Sequence, residues 1–144
     1  MIIKQTPVVR RDWPAGTTGT DKSEGKFAKL SADGQTMSLV TSATTVPDGV
    51  VSNPDGRDGT DGNGGDLVRM NHPGIVQVRL NDTPGTIEDG TDLVACADAT
   101  VKAATGTAGE VVVAKSVAPN TSGQGDCLHE AILVARPAAT AAQA

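Results

Sequence analysis

Aromatic side chains are nearly absent from this chain: one tryptophan (Trp13), one phenylalanine (Phe27) and no tyrosine among 144 residues. Aromatic rings bury the most area per residue, so a core must be assembled from Val, Ala, Leu and Ile, and it will be thin. A thin core makes association with further copies an expected source of stability. Positive charge is also short, with 12 Lys and Arg against 17 Asp and Glu and a net charge of −5. A nucleic-acid groove needs a positive stripe and, for single strands, stacking platforms, so no nucleic-acid partner is expected. No run of about eighteen apolar residues occurs, and no membrane span is expected. The opening MIIKQTPVVRRDW lacks the apolar stretch of a secretory leader, which suggests a protein made and used without export. Only two cysteines occur, Cys96 and Cys127. In a reducing compartment two thiols are the default, with a disulfide between them as the alternative.

The motifs of common chemistries are missing as well. There is no GxSxG, HExxH, P-loop or CxxC, each of which would place a nucleophile, a metal or a phosphate. The two histidines stand apart, His72 in an Asn-His-Pro-Gly turn and His129 two residues after Cys127. On a strand those two would share a face, but a Cys/His pair without a third orienting group is a weak nucleophile signal, and a satisfied core or rim histidine is the preferred reading. Single, scattered Cys and His also fall short of the paired spacing of a zinc site. The expectation is no enzyme, no metal, no cofactor and no small-molecule substrate.

What the chain does have is 17 glycines and many Thr, Ala and Val, a composition suited to short strands joined by tight turns. Residues 25–136 read as one β-rich domain, residues 1–24 as a flexible N-terminal arm and residues 137–144 as a loose tail. Residues 66–80 (DLVRMNHPGIVQVRL) are read as a central hairpin turning at 71–74. Residues 26–30 and 36–40 form another hairpin about Asp33 and Gly34. Further strands are expected at 49–51, 92–95, 100–102 and 110–117, and residues 126–135 fit a closing strand or an amphipathic helix. Residues 53–66 (NPDGRDGTDGNGGD) place glycines at 56, 59, 62 and 65. These triplets are too few, and too poor in proline, for a collagen helix. The carboxylates Asp55, Asp58, Asp61 and Asp66 with Asn63 suggest a calcium loop but lack alternate-position ligands and a closing Glu. A flexible acidic loop is the plain reading.

Two stretches repeat a pattern. GKFAKLSADGQTMSLV (25–40) and GTDLVACADATVKAA (90–104) each run from Gly through apolar strand positions to an Asp-centred turn and a short strand, and each is followed by a Val-rich strand. The expected fold class is mostly β, a small β-barrel or β-sandwich-like domain of short strands; the repeat is either the chance recurrence of Asp-Gly turns and Val runs found in any small β-domain or the mark of two similar β-units. In the arm, Thr6, Pro7, Val8 and Val9 suit an extended strand. Trp13 is either a binding anchor, a role in which Trp is common, or part of the core edge.

The succession GKFAKLSADG, PDGVV, a variable loop, GIVQVRL, DGTDLV, ATVKAATGTAGEVVVAKSVAP and a closing apolar strand resembles the phage capsid decoration (cement, head-stabilising) proteins, including the lambda-type head decoration protein, over residues 25–136. The resemblance implies a structural virion protein made in the host cytoplasm and placed on the outer surface of an expanded capsid, with the major capsid protein and itself, as a homotrimer, for partners. It also implies that the arm adds to a capsid strand, with Thr6, Pro7, Val8 and Val9 as the augmenting stretch and Trp13 beside it. The 53–66 loop and the missing aromatics depart from that family. The competing reading is a receptor-binding or fibre-associated module of the virion, with loop 53–66 as its contacting tip.

Overall fold

The computed structural model describes residues 7–14, 24–52, 64–135 and 137. Among them the chain forms strands and no helix: β1 (Val8–Asp12), β2 (Phe27–Leu30), β3 (Met37–Leu39), β4 (Gly49–Ser52), β5 (Gly64–Arg69), β6 (Ile75–Arg79), β7 (Asp92–Ala95), β8 (Val101–Ala103), β9 (Val112–Ser116) and β10 (Leu128–Leu133). The closing segment is thus a strand, and its alternation of exposed and buried residues from Leu128 to Leu133 matches a sheet with one wet face.

The strands make two five-stranded antiparallel sheets with the orders β1-β5-β4-β2-β3 and β6-β10-β9-β7-β8. The orders are identical when β1 to β5 are matched in sequence with β6 to β10. Register agrees too: Val8 faces Val68, Val68 faces Val50 and Val50 faces Phe27, while Ile75 faces Ile132, Ile132 faces Lys115 and Lys115 faces Asp92. The connecting hydrogen bonds correspond in the same way. Gly25 N donates to Val51 O as Gly90 N does to Ser116 O; Gly34 N donates to Ser31 O as Ala99 N does to Cys96 O; Met70 N donates to Asp48 O as Val134 N does to Val113 O. The chain is one five-stranded unit built twice. Isolated parallel bridges, Asp12 with Thr36 and Leu80 with Val101, tie the first strand of each unit to its third. Each sheet therefore curls until its margins touch at one point, without closing into a barrel.

The duplication corrects the central hairpin expected at residues 66–80. β5 pairs with β1 and β4, and β6 pairs with β10, so these neighbours in sequence belong to different sheets. The Asn-His-Pro-Gly segment is the crossover between units: His72 N bonds to Arg69 O, and Gly74 N to His72 Nδ1. β5 has its partners within its own unit, and it is apolar on both faces because it lies between two cores.

Strand alternation distributes those cores. Val51, Leu67 and Ala28 point into a small cluster with Trp13 and Met37. Their neighbours Val50, Val68 and Phe27 point the other way, into a larger cluster continuous with Val76, Val78, Leu93, Val101 and Ala131 of the second unit. A short strap fastens the units. Gly25, already bonded to Val51, accepts through its carbonyl from Arg79 N at 2.8 Å, and Phe27 N donates to Ala99 O at 2.9 Å. Arg79 Nε adds a bond to the Glu24 carbonyl at 3.0 Å.

Gly25 has φ 85° and Gly90 has φ 87°, so both are strained by any side chain. Their surroundings differ. A Cβ on Gly25 would lie 2.8 Å from Arg79 N and 2.6 Å from Leu128 Cδ2, whereas one on Gly90 meets nothing within 4 Å. Gly90→Ala should therefore cost only the backbone strain, about 1–2 kcal/mol, and Gly25→Ala clearly more, as read from urea denaturation midpoints. Equal losses would mean that the strap does not hold the units together.

Candidate functional site

The residues singled out from the sequence lie at the N-terminal margin of the first sheet. Of the 1–24 segment, residues 7–14 are described and are built into the fold; Thr6 lies outside the described residues. β1 is the outermost strand, paired antiparallel with β5, with Val8 opposite Val68 and Val9 opposite Leu67. Arg69 N donates to the Pro7 carbonyl at 2.7 Å. Hydrogen bonding alternates along an antiparallel pair, so if Pro7 and Val9 face β5, the Val8 amide and carbonyl turn toward the outer edge. Val8 and Val9 are both half-buried, Val8 against the large core and Val9 against the small one. Trp13 is 4 % exposed and fills the small core. Its indole Nε1 is buried with no hydrogen-bond partner, a cost tolerated where the ring supplies apolar bulk that few other residues offer.

The possible sites of chemistry resolve into structural hydrogen bonding. His129 is buried and its Nε2 lies 2.7 Å from Ser116 Oγ. Ser116 donates its hydroxyl proton to the Ala118 carbonyl at 2.5 Å, so Nε2 must carry a hydrogen and donate to the serine. A protonated Nε2 is no base for that serine, and Ser116 is itself fully buried. His129 is thus a satisfied core histidine. Cys127 bonds instead to the Gln124 carbonyl through Sγ at 3.7 Å. Both cysteines are free thiols, and burial pushes the Cys96 thiol above its ordinary value, which makes it unreactive near neutral pH.

A groove of about 490 Å³ lies between Ala43 and Thr44 of the first unit and the second unit, lined mainly by Ala and Thr, with Lys102, Cys96 and Glu110 as its ionisable groups. At its rim the Glu110 carboxylate caps a loop. It accepts from Thr105 N at 3.1 and 3.2 Å, from Thr105 Oγ1 at 3.0 Å and from Thr107 N at 3.0 Å. Desolvation pushes this carboxyl up, but the bonds from Thr105, Gly106 and Thr107 outweigh it, so it sits below the ordinary glutamate range. The Asp98 carboxyl is held low in the same way: burial raises it, and the Thr100 hydroxyl and amide bring it down. Both carboxylates serve turn geometry. Among the described residues no group of three or more His, Cys, Asp or Glu is placed to hold a metal ion. The calcium reading of loop 53–66 and its role as a contacting tip fall on residues 53–63, outside the described residues; Gly64, Gly65 and Asp66 begin β5.

One surface escaped the sequence reading. On the outer side of the second sheet Ile75 is 56 % exposed, Ile132 41 % and Leu128 39 %. Its signal was present in IVQVR and LHEAIL, where apolar residues occupy both phases of the alternation.

The geometry defines a class: an all-β module of two like units, with an ordered marginal strand and an apolar outer face. Compared with known proteins, the chain matches no family model and no curated protein sequence.

Glu110 gives a pH test. Its carboxyl is held low in the folded state, so its contribution is present above the unfolded value, about 4.3, and is lost as pH falls through the lower folded value. Denaturation midpoints of the wild type and Glu110→Gln should differ modestly at pH 6, because the carboxylate is largely exposed, and converge toward pH 3. A difference that stays constant with pH would show that the loop is not held by the carboxylate charge.

Proposed function

We propose that this chain is a structural decoration protein of a virus head, which binds the outside of an expanded phage capsid and stabilises it against the pressure of packaged DNA. The observation that carries the reading is β1: an extended strand at the margin of an all-β body, preceded by Pro7 and with the Val8 backbone directed outward. A strand in that position can join a sheet of the major capsid protein through main-chain hydrogen bonds, which give affinity without demanding a particular sequence. The motif order over residues 25–136 supports the same reading. So does the use of the buried Ser116 and His129 as structural partners rather than as reactants.

Such a protein stabilises by adding contact area between neighbouring capsid subunits. An interface of standard size buries about 1,600 Å², and repetition over the shell multiplies its effect. The net charge of −5 suits an outer position away from DNA, because like charges repel.

The test is co-sedimentation of the purified chain with emptied, expanded heads of the virus that encodes it. Saturable binding and a rise in the temperature at which heads rupture are expected. Val8→Pro, which removes the amide donor on the outer edge of β1 while leaving the Arg69 amide bonded to the Pro7 carbonyl, should weaken binding by at least tenfold, equivalent to about 1.4 kcal/mol. Deleting residues 1–24 is a poorer test, since it also removes a strand and the Trp13 ring, whose loss typically costs about 3–5 kcal/mol. Full affinity in the Val8→Pro variant would contradict attachment through the outer edge of β1, and failure of the intact chain to bind heads would contradict decoration.

A further inference from the structure

The loops that join the third strand of each unit to its fourth correspond. Residues 40–48 follow β3 and residues 104–111 follow β8, and each loop closes on the same bond: Thr45 N donates to Ser42 O at 3.2 Å, and Glu110 N to Thr107 O at 3.3 Å. The groove of about 490 Å³ opens between them, with Ala43 and Thr44 contributed by the first loop and Ala108 and Gly109 by the second. Its floor is the face of β7 and β8 on which Val94 and Lys102 stand opposite one another, continued by Cys96. Val94 and Cys96 are buried and Lys102 is half-buried, so the floor is apolar apart from one ammonium head.

That ammonium differs from its counterpart. In the first unit the same pair of positions holds Lys29 opposite Ser38, and Lys29 Nζ donates to the Val46 carbonyl at 3.4 Å. Lys102 makes no hydrogen bond or ion pair with a described residue. The carboxylates at the rim are spent elsewhere. Glu110 accepts from Thr105 and Thr107, and Asp98 from Thr100 and Asn81. Burial keeps the Cys96 thiol neutral near pH 7. A concave site of ligand size thus presents one uncompensated positive charge over an apolar floor.

From this we infer that the groove binds a small organic acid, with its carboxylate on the Lys102 ammonium and a short aliphatic body on Val94 and Cys96. An extended peptide fits less well, because the outward backbone groups of β8 are already taken: Val101 O accepts from Asn81 N and Ala103 N donates to Pro84 O, at 2.8 Å each. Inorganic phosphate would make no use of the floor. The acid is a ligand and not a substrate, since the thiol and the carboxylates beside it are neutral or engaged. This site is separate from β1 and does not rest on capsid attachment.

The test uses the full chain and sodium hexanoate, followed by amide shifts in nitrogen-15 NMR. Hexanoate should shift amides at 94–97, 102 and 105–110, saturating below about 10 mM, an ordinary efficiency for a ligand of about eight heavy atoms. Each methylene added between acetate and hexanoate should tighten binding about three- to fourfold, and hexan-1-ol and inorganic phosphate should both bind more weakly than hexanoate. Lys102→Met should weaken hexanoate about fivefold and leave hexan-1-ol unchanged, while Lys102→Arg should retain hexanoate binding. Should Lys102→Met fail to fold, the comparison of hexanoate with hexan-1-ol and phosphate on the wild type decides alone. Shifts that do not saturate or that fall outside the groove overturn the inference. So does phosphate binding as tightly as hexanoate, which would mean a charge without a floor, and so does hexan-1-ol binding as tightly, which would mean a floor without a charge.

Discussion

The strap at residues 24–27 is the constraint on which the rest of the structure depends. Gly25 donates to Val51 in one unit and accepts from Arg79 in the other, and Phe27 donates across to Ala99. Four backbone groups thus fix the relative placement of two sheets that do not otherwise form one continuous ladder. The approach is so close that only a residue without a Cβ fits at position 25. Once it is made, Phe27, Val50 and Val68 are committed to a core shared by both units. The fold spends its single phenylalanine at that joint and its single tryptophan in the small core of the first unit. A chain this poor in aromatic rings gains its stability from a few well-placed contacts and from duplication.

Duplication also explains where function can reside. The joint leaves the margin of the first sheet and the outer face of the second turned outward. The first unit's margin carries β1, which is proposed as the capsid attachment; the second unit's face carries the Ile75, Ile132 and Leu128 patch. Apart from the Trp13 indole N–H, the buried polar side chains bond internally: Ser116 with His129 and Ala118, Thr100 with Asp98 and Asn81. Besides the groove lined by Ala, Thr and Lys102, the marginal strand and the apolar outer face are what the described residues offer to partners.

Much of the fold was legible in the sequence because apolar runs bounded by Gly, Asp and Pro mark strand limits directly. The Val111–Val113 run, the 26–30 and 36–40 hairpin and the faint likeness of 25–40 to 90–104 all point to elements that the structure contains. Pairing was harder to read. The run at 66–80 has every local sign of a hairpin, yet β5 and β6 belong to different sheets, because pairing is decided by which partners each unit can supply over long sequence separations. Trp13 was ambiguous for a related reason: nothing local reveals that β1 lies beside β5, more than fifty positions away, and brings the ring over Met37 and Leu67. The exposed patch was missed since Ile75 and Ile132 look like core residues until the opposite phase of each strand, with Val76, Val78, Ala131 and Leu133, is seen to be the buried one.

The most direct measurement of the proposed role is the copy number of this chain in purified particles of the virus that encodes it, by quantitative mass spectrometry against the major capsid protein. Decoration of the whole head requires near parity between the two. A handful of copies per particle would indicate a tail or vertex component instead, and absence from particles would contradict a structural role in the head.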